Sequence, residues 1–325
     1  MTWGIPPQVF FRRVVFQAGF FDCRSQFIYF GNGKGLKPLK LTVVVDNCVS
    51  PGAKAPFRAQ HGLAVLIDTG ANKILFDAGP SDIVIHNLGL LGVHPRELDA
   101  IVLSHGHYDH TGGLASVLTM AAKKIPVFSH PDIFKPRYAV EGSNCKYVGV
   151  PFTKECLTHL GADFRPVEEP VELVPNLWIS GPVPRETVYE EGDARLVVAE
   201  GDCGCAAGEL PTVYSRDSLL DDMAIFIRCS KGLVVLGGCA HSGIINMINH
   251  GLKVTGAIKV HGLLGGTHLG PTSDPQKNAT IGALEWFNPD FIASNHCTGF
   301  PMMARLSQVF GDKFIPAFCG TTVEC

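Results

Sequence analysis

The stretch Val102–Leu114, VLSHGHYDHTGGL, decides the reading of this chain. It sets His105, His107, Asp109 and His110 within six residues. A regular helix would turn these side chains by about 100° per residue and spread them around most of its circumference. A strand would keep His105, His107 and Asp109 on one face and send His110 to the other. An irregular turn can aim all four at one space. The apolar run Ala100–Leu103 before the cluster and Thr111-Gly112-Gly113 after it fit a strand, a ligand-bearing turn and then a helix over 114–124.

Outward from that turn, the 325 residues are 46% hydrophobic and 18% charged, with a net charge of −3, enough for a large core in an α/β chain. The mild acidity argues against a nucleic-acid or membrane-surface binder, which usually carries a basic excess. No apolar run approaches the roughly 20 residues of a membrane helix. The aromatic start, MTWGIPPQVFFRRVVFQAGFF, is broken by Arg12-Arg13 and lacks a small-residue cleavage site after it. Residues 1–40 are therefore read as an N-terminal extension, and 41–325 as one domain. The 11 cysteines follow no framework spacing, so reduced thiols in the cytoplasm are expected. Cys203 and Cys205 read as loop thiols.

Along the chain, 41–45 (LTVVV) reads as a strand. Residues 62–79 hold two nearly continuous apolar runs around Asp-Thr-Gly-Ala-Asn-Lys, a hairpin buried on both faces. A strand over 125–130 ends in His130. The segment 141–220 is broken by Pro, Gly and acidic pairs, and reads as connecting hairpins with a long loop over the site. Residues 221–251 repeat the pattern of the first hairpin, which suggests two similar halves. A helix is expected at 244–249 and another at 279–287. His268 follows a glycine pair, and His296 follows the strand 290–294.

Three polar clusters thus follow apolar strands: His105–His110, Cys239–His241 and His296–Cys297. Strand ends converging on one rim are a usual way to build a site. Four ligands in the first cluster, with later histidines added, exceed what one catalytic zinc takes. They fit two metals about 3.5–4 Å apart that activate a bridging hydroxide. No phosphate-binding glycine motif is present.

SHGHYDHTGG resembles the His-x-His-x-Asp-His signature of the metallo-β-lactamase superfamily, and ILFDAG resembles its first Asp-bearing strand. More narrowly, LSHGHYDHTGGL, GLVVLGGCAHSGIIN, GGTHL and HCTG are similar to the subgroup of dihydropterin-type synthases of methanopterin biosynthesis. The resemblance covers roughly 40–320. It implies an αββα sandwich of two mixed sheets with helices on the outer faces. It also implies two divalent metal ions, zinc first, with manganese or iron as alternatives. Carried over residue by residue, His105 and His107 would hold the first metal. Asp109, His110 and His296 would hold the second. His241 is the first choice for the middle ligand, Cys239 the second and Asp222 the third. Asp77 would orient the ligand turn.

The di-iron oxidoreductases of the superfamily usually carry Glu where His107 stands, so a hydrolytic centre is expected over a redox one. The leading function is a binuclear hydrolase or related transferase on a small, phosphorylated, pterin-like substrate. Asp109 would orient or deprotonate the water. His268 would stabilise charge on the substrate. His130 and the 141–220 segment would set substrate preference. Asp46-Asn47 read as a turn or a substrate contact. The rival functions are a non-catalytic metal- or ligand-binding protein and a di-iron redox protein.

Overall fold

The apolar runs of the two halves build two seven-stranded sheets. In a computed structural model of the chain, which describes residues 39–199 and 214–325, Thr322–Glu324 edges the first sheet. It is followed by Lys40–Val45, Ala64–Asp68, Lys73–Phe76, Ala100–Val102, Ile125–Ser129 and Ala162–Pro166. The strands are antiparallel up to Lys73–Phe76 and parallel beyond it.

The second sheet runs Phe314–Pro316, Phe291–Asn295, Val260–Gly266, Gly232–Gly237, Ala224–Cys229, Leu177–Ile179 and Val171–Val174. It is parallel as far as Gly232–Gly237 and antiparallel beyond. The two expected hairpins each sit where their sheet changes from antiparallel to parallel, so the likeness of the halves is structural.

Strand residues bury both faces. Leu66, Leu75, Ile101 and Val127 pack with Val84 and Leu88 of the helix Ile83–Leu90 and with Leu114, Val117 and Leu118 of the helix Leu114–Ala121. The alternate residues Val65, Ile67, Ile74, Phe76 and Val102 are equally buried on the opposite face. In the second sheet Phe226, Val235, Leu263 and Ile292 pack under the helices Ile244–Thr255, Asp274–Phe287 and Phe300–Phe310. Ile225, Ile227, Val234 and Leu236 are buried on its other face. The two helix-free faces share one interior, which is the αββα arrangement with mixed sheets. A hydrogen bond from the Met223 N–H to the Ser104 carbonyl, 2.9 Å, ties the sheets together beside the ligand turn.

Several expectations need adjustment. The ligand turn is not irregular throughout: Tyr108–Thr111 closes one helical turn, so Asp109 and His110 stand on a short helix while His105 and His107 precede it. The 114–124 helix stops at Ala121, where Ala122 takes φ 49°. The 244–249 helix continues to Thr255, and the 279–287 helix starts at Asp274, with the Ser273 hydroxyl accepting from the Gln276 N–H. Its polar first turn hides that start from an apolar-periodicity reading.

The 141–220 segment is more ordered than a loop. It contributes the helix Lys154–His159, one strand to the first sheet and two to the second. Arg137–Glu141, Asn144–Tyr147, Leu196–Ala199 and Tyr214–Arg216 form a further four-stranded sheet. Residues 1–38 of the expected extension, together with Cys203 and Cys205, lie outside the described residues. Among the described residues no helix is long and apolar enough to cross a membrane.

Candidate metal centre

Both sheets end their parallel strands at one edge, and the three polar clusters meet there. Rings of His105 and His107 stand 4.5 Å apart, with His105 Nε2 3.0 Å from His107 Nδ1. The His241 ring lies 4.8 Å from His105 and 5.0 Å from His107, so the second half of the chain completes the first group. Beside it, His110 Nε2 is 3.1 Å from Cys239 Sγ and 3.2 Å from His296 Nε2. Asp109 Oδ2 lies 3.4 Å from His296 Nε2 and 3.8 Å from His110 Nε2. Six residues expected from sequence to hold metal therefore do converge, and Cys239 joins them.

Among the described residues, ligand atoms come within 4.8 Å of one another in the sets His105–Cys239–His241, His110–Cys239–His296, His61–Asp109–His296 and Cys239–His268–Cys297. Cys239 recurs in three of these sets, so its thiol is more central than second choice implied. Asp222 is in none. Its Oδ2 accepts from the Ser242 N–H and hydroxyl, each at 2.6 Å, which fixes the turn carrying His241. His107 is in none either, yet its Nε2 is buried without a hydrogen-bond partner among the described residues. So are both ring nitrogens of His241, Nδ1 of His268 and Oδ1 of Asp222. Buried polar atoms are normally paired, and unpaired ones left in a cluster of imidazoles call for an ion. The donor set fits divalent metal.

The candidate ligands are held by a hidden carboxylate. Asp77 is fully buried with φ 59°. Its Oδ1 accepts from the Ser104 N–H, and its Oδ2 accepts from the Ser104 hydroxyl, each at 2.7 Å. His110 Nδ1 is 2.6 Å from the same Oδ2, and Ser104 Oγ is 2.9 Å from His105 Nδ1. One carboxylate thereby orients a histidine of each group, directly or through Ser104.

Asp46 and Asn47 do the same for His296. Asp46 Oδ1 accepts its N–H at 2.9 Å, and Asn47 Oδ1 is 3.0 Å from its Nδ1. The ligand turn is clamped from below by Asp221, whose Oδ2 accepts the Gly106 N–H at 2.8 Å and whose Oδ1 accepts from Arg137 at 2.7 Å. A Cβ on Gly106 would collide with the Ile133 carbonyl and the Arg137 guanidinium, so only glycine fits there.

Electrostatics separates the histidines. Burial, with the neighbouring imidazoles, holds His105 and His241 well below the ordinary histidine range. Burial also takes His107 down to about 3, so these three are neutral and ready to ligate. Burial pushes His110 the same way, but Asp77 and Asp109 outweigh it and raise His110 to about 9. The metal-free centre therefore keeps a proton on His110 at neutral pH. A metal must displace it. Metal affinity should accordingly rise from pH 7 toward pH 9 by up to about tenfold per unit for one displaced proton. Competition against a chromophoric chelator checks this, and a pH-independent affinity over that span would contradict it.

A cavity of about 380 Å³ opens onto the centre. His268 reaches it and is held by Asp193, with Nε2 3.4 Å from Asp193 Oδ2. Lys146 lies at the rim, its Nζ donating to the Tyr108 hydroxyl at 3.2 Å. His61, which sequence reasoning passed over, places Nε2 3.3 Å from Asp109 Oδ2. His130 is a correction. Its Nδ1 accepts the Asp132 N–H and caps the turn Pro131–Phe134, and it does not line the cavity.

This fold, with histidines, carboxylates and a thiol gathered where the two sheets end, defines a metal-binding αββα class of protein. A family model described as the metallo-beta-lactamase superfamily matches residues 58–141. The chain is 30% identical to the 7,8-dihydropterin-6-methyl-4-(beta-D-ribofuranosyl)-aminobenzene-5'-phosphate synthase of Methanocaldococcus jannaschii, over 84% of this chain and 92% of that relative. It is 34% identical to the uncharacterized protein MJ0448 of the same organism, over 83% of this chain and 94% of that one. The crystal structure of Tm1679, a metal-dependent hydrolase of the beta-lactamase superfamily, superposes with a TM-score of 0.72 at 24% identity, covering 88% of this chain and 99% of the other. The chain belongs to the metallo-β-lactamase superfamily. That membership and the synthase relative support a metal-dependent enzyme.

Proposed function

We propose that the chain is a binuclear metal-dependent hydrolase or related transferase acting on a small phosphorylated substrate of pterin-like kind, with residues 41–325 as its catalytic domain. The observation that carries this reading is the set of buried, unpaired ligand atoms on His107 and His241, whose rings stand 5.0 Å apart beside the cavity. His105, His107 and His241 would hold one ion, and Asp109, His110 and His296, with Cys239, the other. Divalent ions there would lower the pKa of water toward neutrality and stabilise charge on a leaving oxygen.

The chain's own groups account for the rest. Asp109 Oδ2 orients the attacking water, and His61 Nε2 beside it takes the proton out toward solvent. The Asp193 carboxylate keeps His268 protonated, raising it to about 9 against the effect of burial, and the imidazolium faces negative charge developing on the substrate. The phosphorylated substrate is supported by the activity for which the synthase relative is named and by Lys146 at the cavity rim.

The test is metal content by inductively coupled plasma mass spectrometry on wild type and His105→Ala, paired with a screen of phosphodiester and ester substrates, each with and without an alcohol acceptor. The reading expects at least two ions per wild-type chain and a clear fall in the variant. Turnover with water alone marks a hydrolase, and turnover only with acceptor a transferase. A wild-type chain that retains no metal after incubation with zinc, manganese or iron overturns it.

A further inference from the structure

The set Cys239, His268 and Cys297 has no part as a set in the reading above. These residues follow three neighbouring parallel strands, Gly232–Gly237, Val260–Gly266 and Phe291–Asn295, so the sheet itself delivers them side by side. Their ligand atoms lie within 4.8 Å of one another. Gly266 stands between the two cysteines. A Cβ there would sit 2.7 Å from Cys297 Sγ and 3.3 Å from the Cys239 Cα, so its absence makes room for the sulfur.

His268 is presented in the way metal-binding histidines usually are. Its backbone takes φ 47°, and its N–H donates to Cys297 Sγ at 3.2 Å. One ring nitrogen, Nε2, faces the Asp193 carboxylate at 3.4 Å, while Nδ1 is buried with no hydrogen-bond partner among the described residues. A carboxylate on one imidazole nitrogen and a free second nitrogen is the common orientation device at metal sites. Asp193 is itself paired with Arg195 at 2.7 Å. His268 and both cysteines line the cavity.

We infer that Cys239, Cys297 and His268 form a thiolate-rich metal position at the floor of the cavity, sharing the Cys239 sulfur with the histidine sets and binding a thiophilic divalent ion. Two thiolates and one imidazole would leave one tetrahedral place open for a ligand from the cavity that these three residues line. Sulfur donors select zinc or cadmium over manganese or magnesium. The inference stands on this geometry and replaces the charge-stabilising part given to His268 above: Nδ1 gives up its proton to bind the ion, while Nε2 keeps its proton toward Asp193.

The full-length chain, stripped of metal and titrated with cobalt(II), tests it through the sulfur-to-cobalt charge-transfer band in the near ultraviolet. The expected result is an intense band in wild type that loses about half its intensity in Cys297→Ser, since one of two thiolates is removed. Cadmium NMR on the wild-type chain gives a reading that needs no variant, with one resonance expected in the downfield range of two-sulfur sites. A band unchanged in Cys297→Ser, or a cadmium spectrum with no two-sulfur resonance, overturns the inference. Cobalt bound without any charge-transfer band overturns it and leaves the His/Asp centre standing. A chain that takes up no metal overturns both.

Discussion

Asp77→Asn should weaken metal binding by ~10–100-fold while leaving the chain folded. Asn is nearly isosteric and tolerates the positive φ of this position, so the backbone is spared. The chemistry is not. Asp77 Oδ2 serves both the Ser104 hydroxyl and His110 Nδ1, whereas an amide has one acceptor oxygen and one donating nitrogen. With the amide nitrogen toward His110, Nδ1 must become the acceptor, and the ring proton moves to Nε2. That is the atom facing Cys239 and His296. The tautomer needed for ligation is thereby lost. Chelator competition measures the change, and circular dichroism monitors the fold. An affinity within a few-fold of wild type would reduce Asp77 to a loop tether.

Arg137→Met should destabilise the chain by about 3–5 kcal/mol. Arg137 is almost wholly buried and is held by Asp217 through Nε and by Asp221 through Nη2, each at 2.7 Å. Removing the guanidinium strands two buried carboxylates, which costs far more than the packing lost. Burial already raises Asp221 to about 7, with Arg137 acting in the opposite direction, so the variant should raise it further. A folded-state pKa above the unfolded one means the native state binds the extra proton, and stability falls as pH rises through that range. The defect should therefore be larger at pH 8 than at pH 5 in urea unfolding. Neutralising both partners, as Arg137→Met with Asp217→Asn and Asp221→Asn, should recover part of the loss. A defect equal at both pH values and untouched by that neutralisation would make it a packing effect.

How far the sequence could be read depends on distance along the chain. His105, His107, Asp109 and His110 were legible because one turn carries them all, between an apolar strand and a glycine pair. The two sandwich halves were legible because strands buried on both faces give unbroken apolar runs. What failed was long-range. Asp46 grips the His296 N–H across 250 residues, and no local pattern distinguishes that from a turn. The pair Asp221-Asp222 hides two separate tasks, one under Gly106 and one under Ser242. The four-stranded sheet was missed because Asn144–Tyr147 and Tyr214–Arg216 are largely exposed and carry little apolar signal. His130 read as a strand-end residue that sets substrate preference, and only the fold shows it turned to its own loop.

The division of the site between the halves has a mechanical side. His105, His107, Asp109 and His110 stand on the first sheet, and Cys239, His241, His268 and His296 on the second. Any ion gripped from both sides is a rivet through the seam of the sandwich, working in parallel with the Met223–Ser104 hydrogen bond. Occupancy of the centre would then restrain how freely the two half-molecules shear against each other.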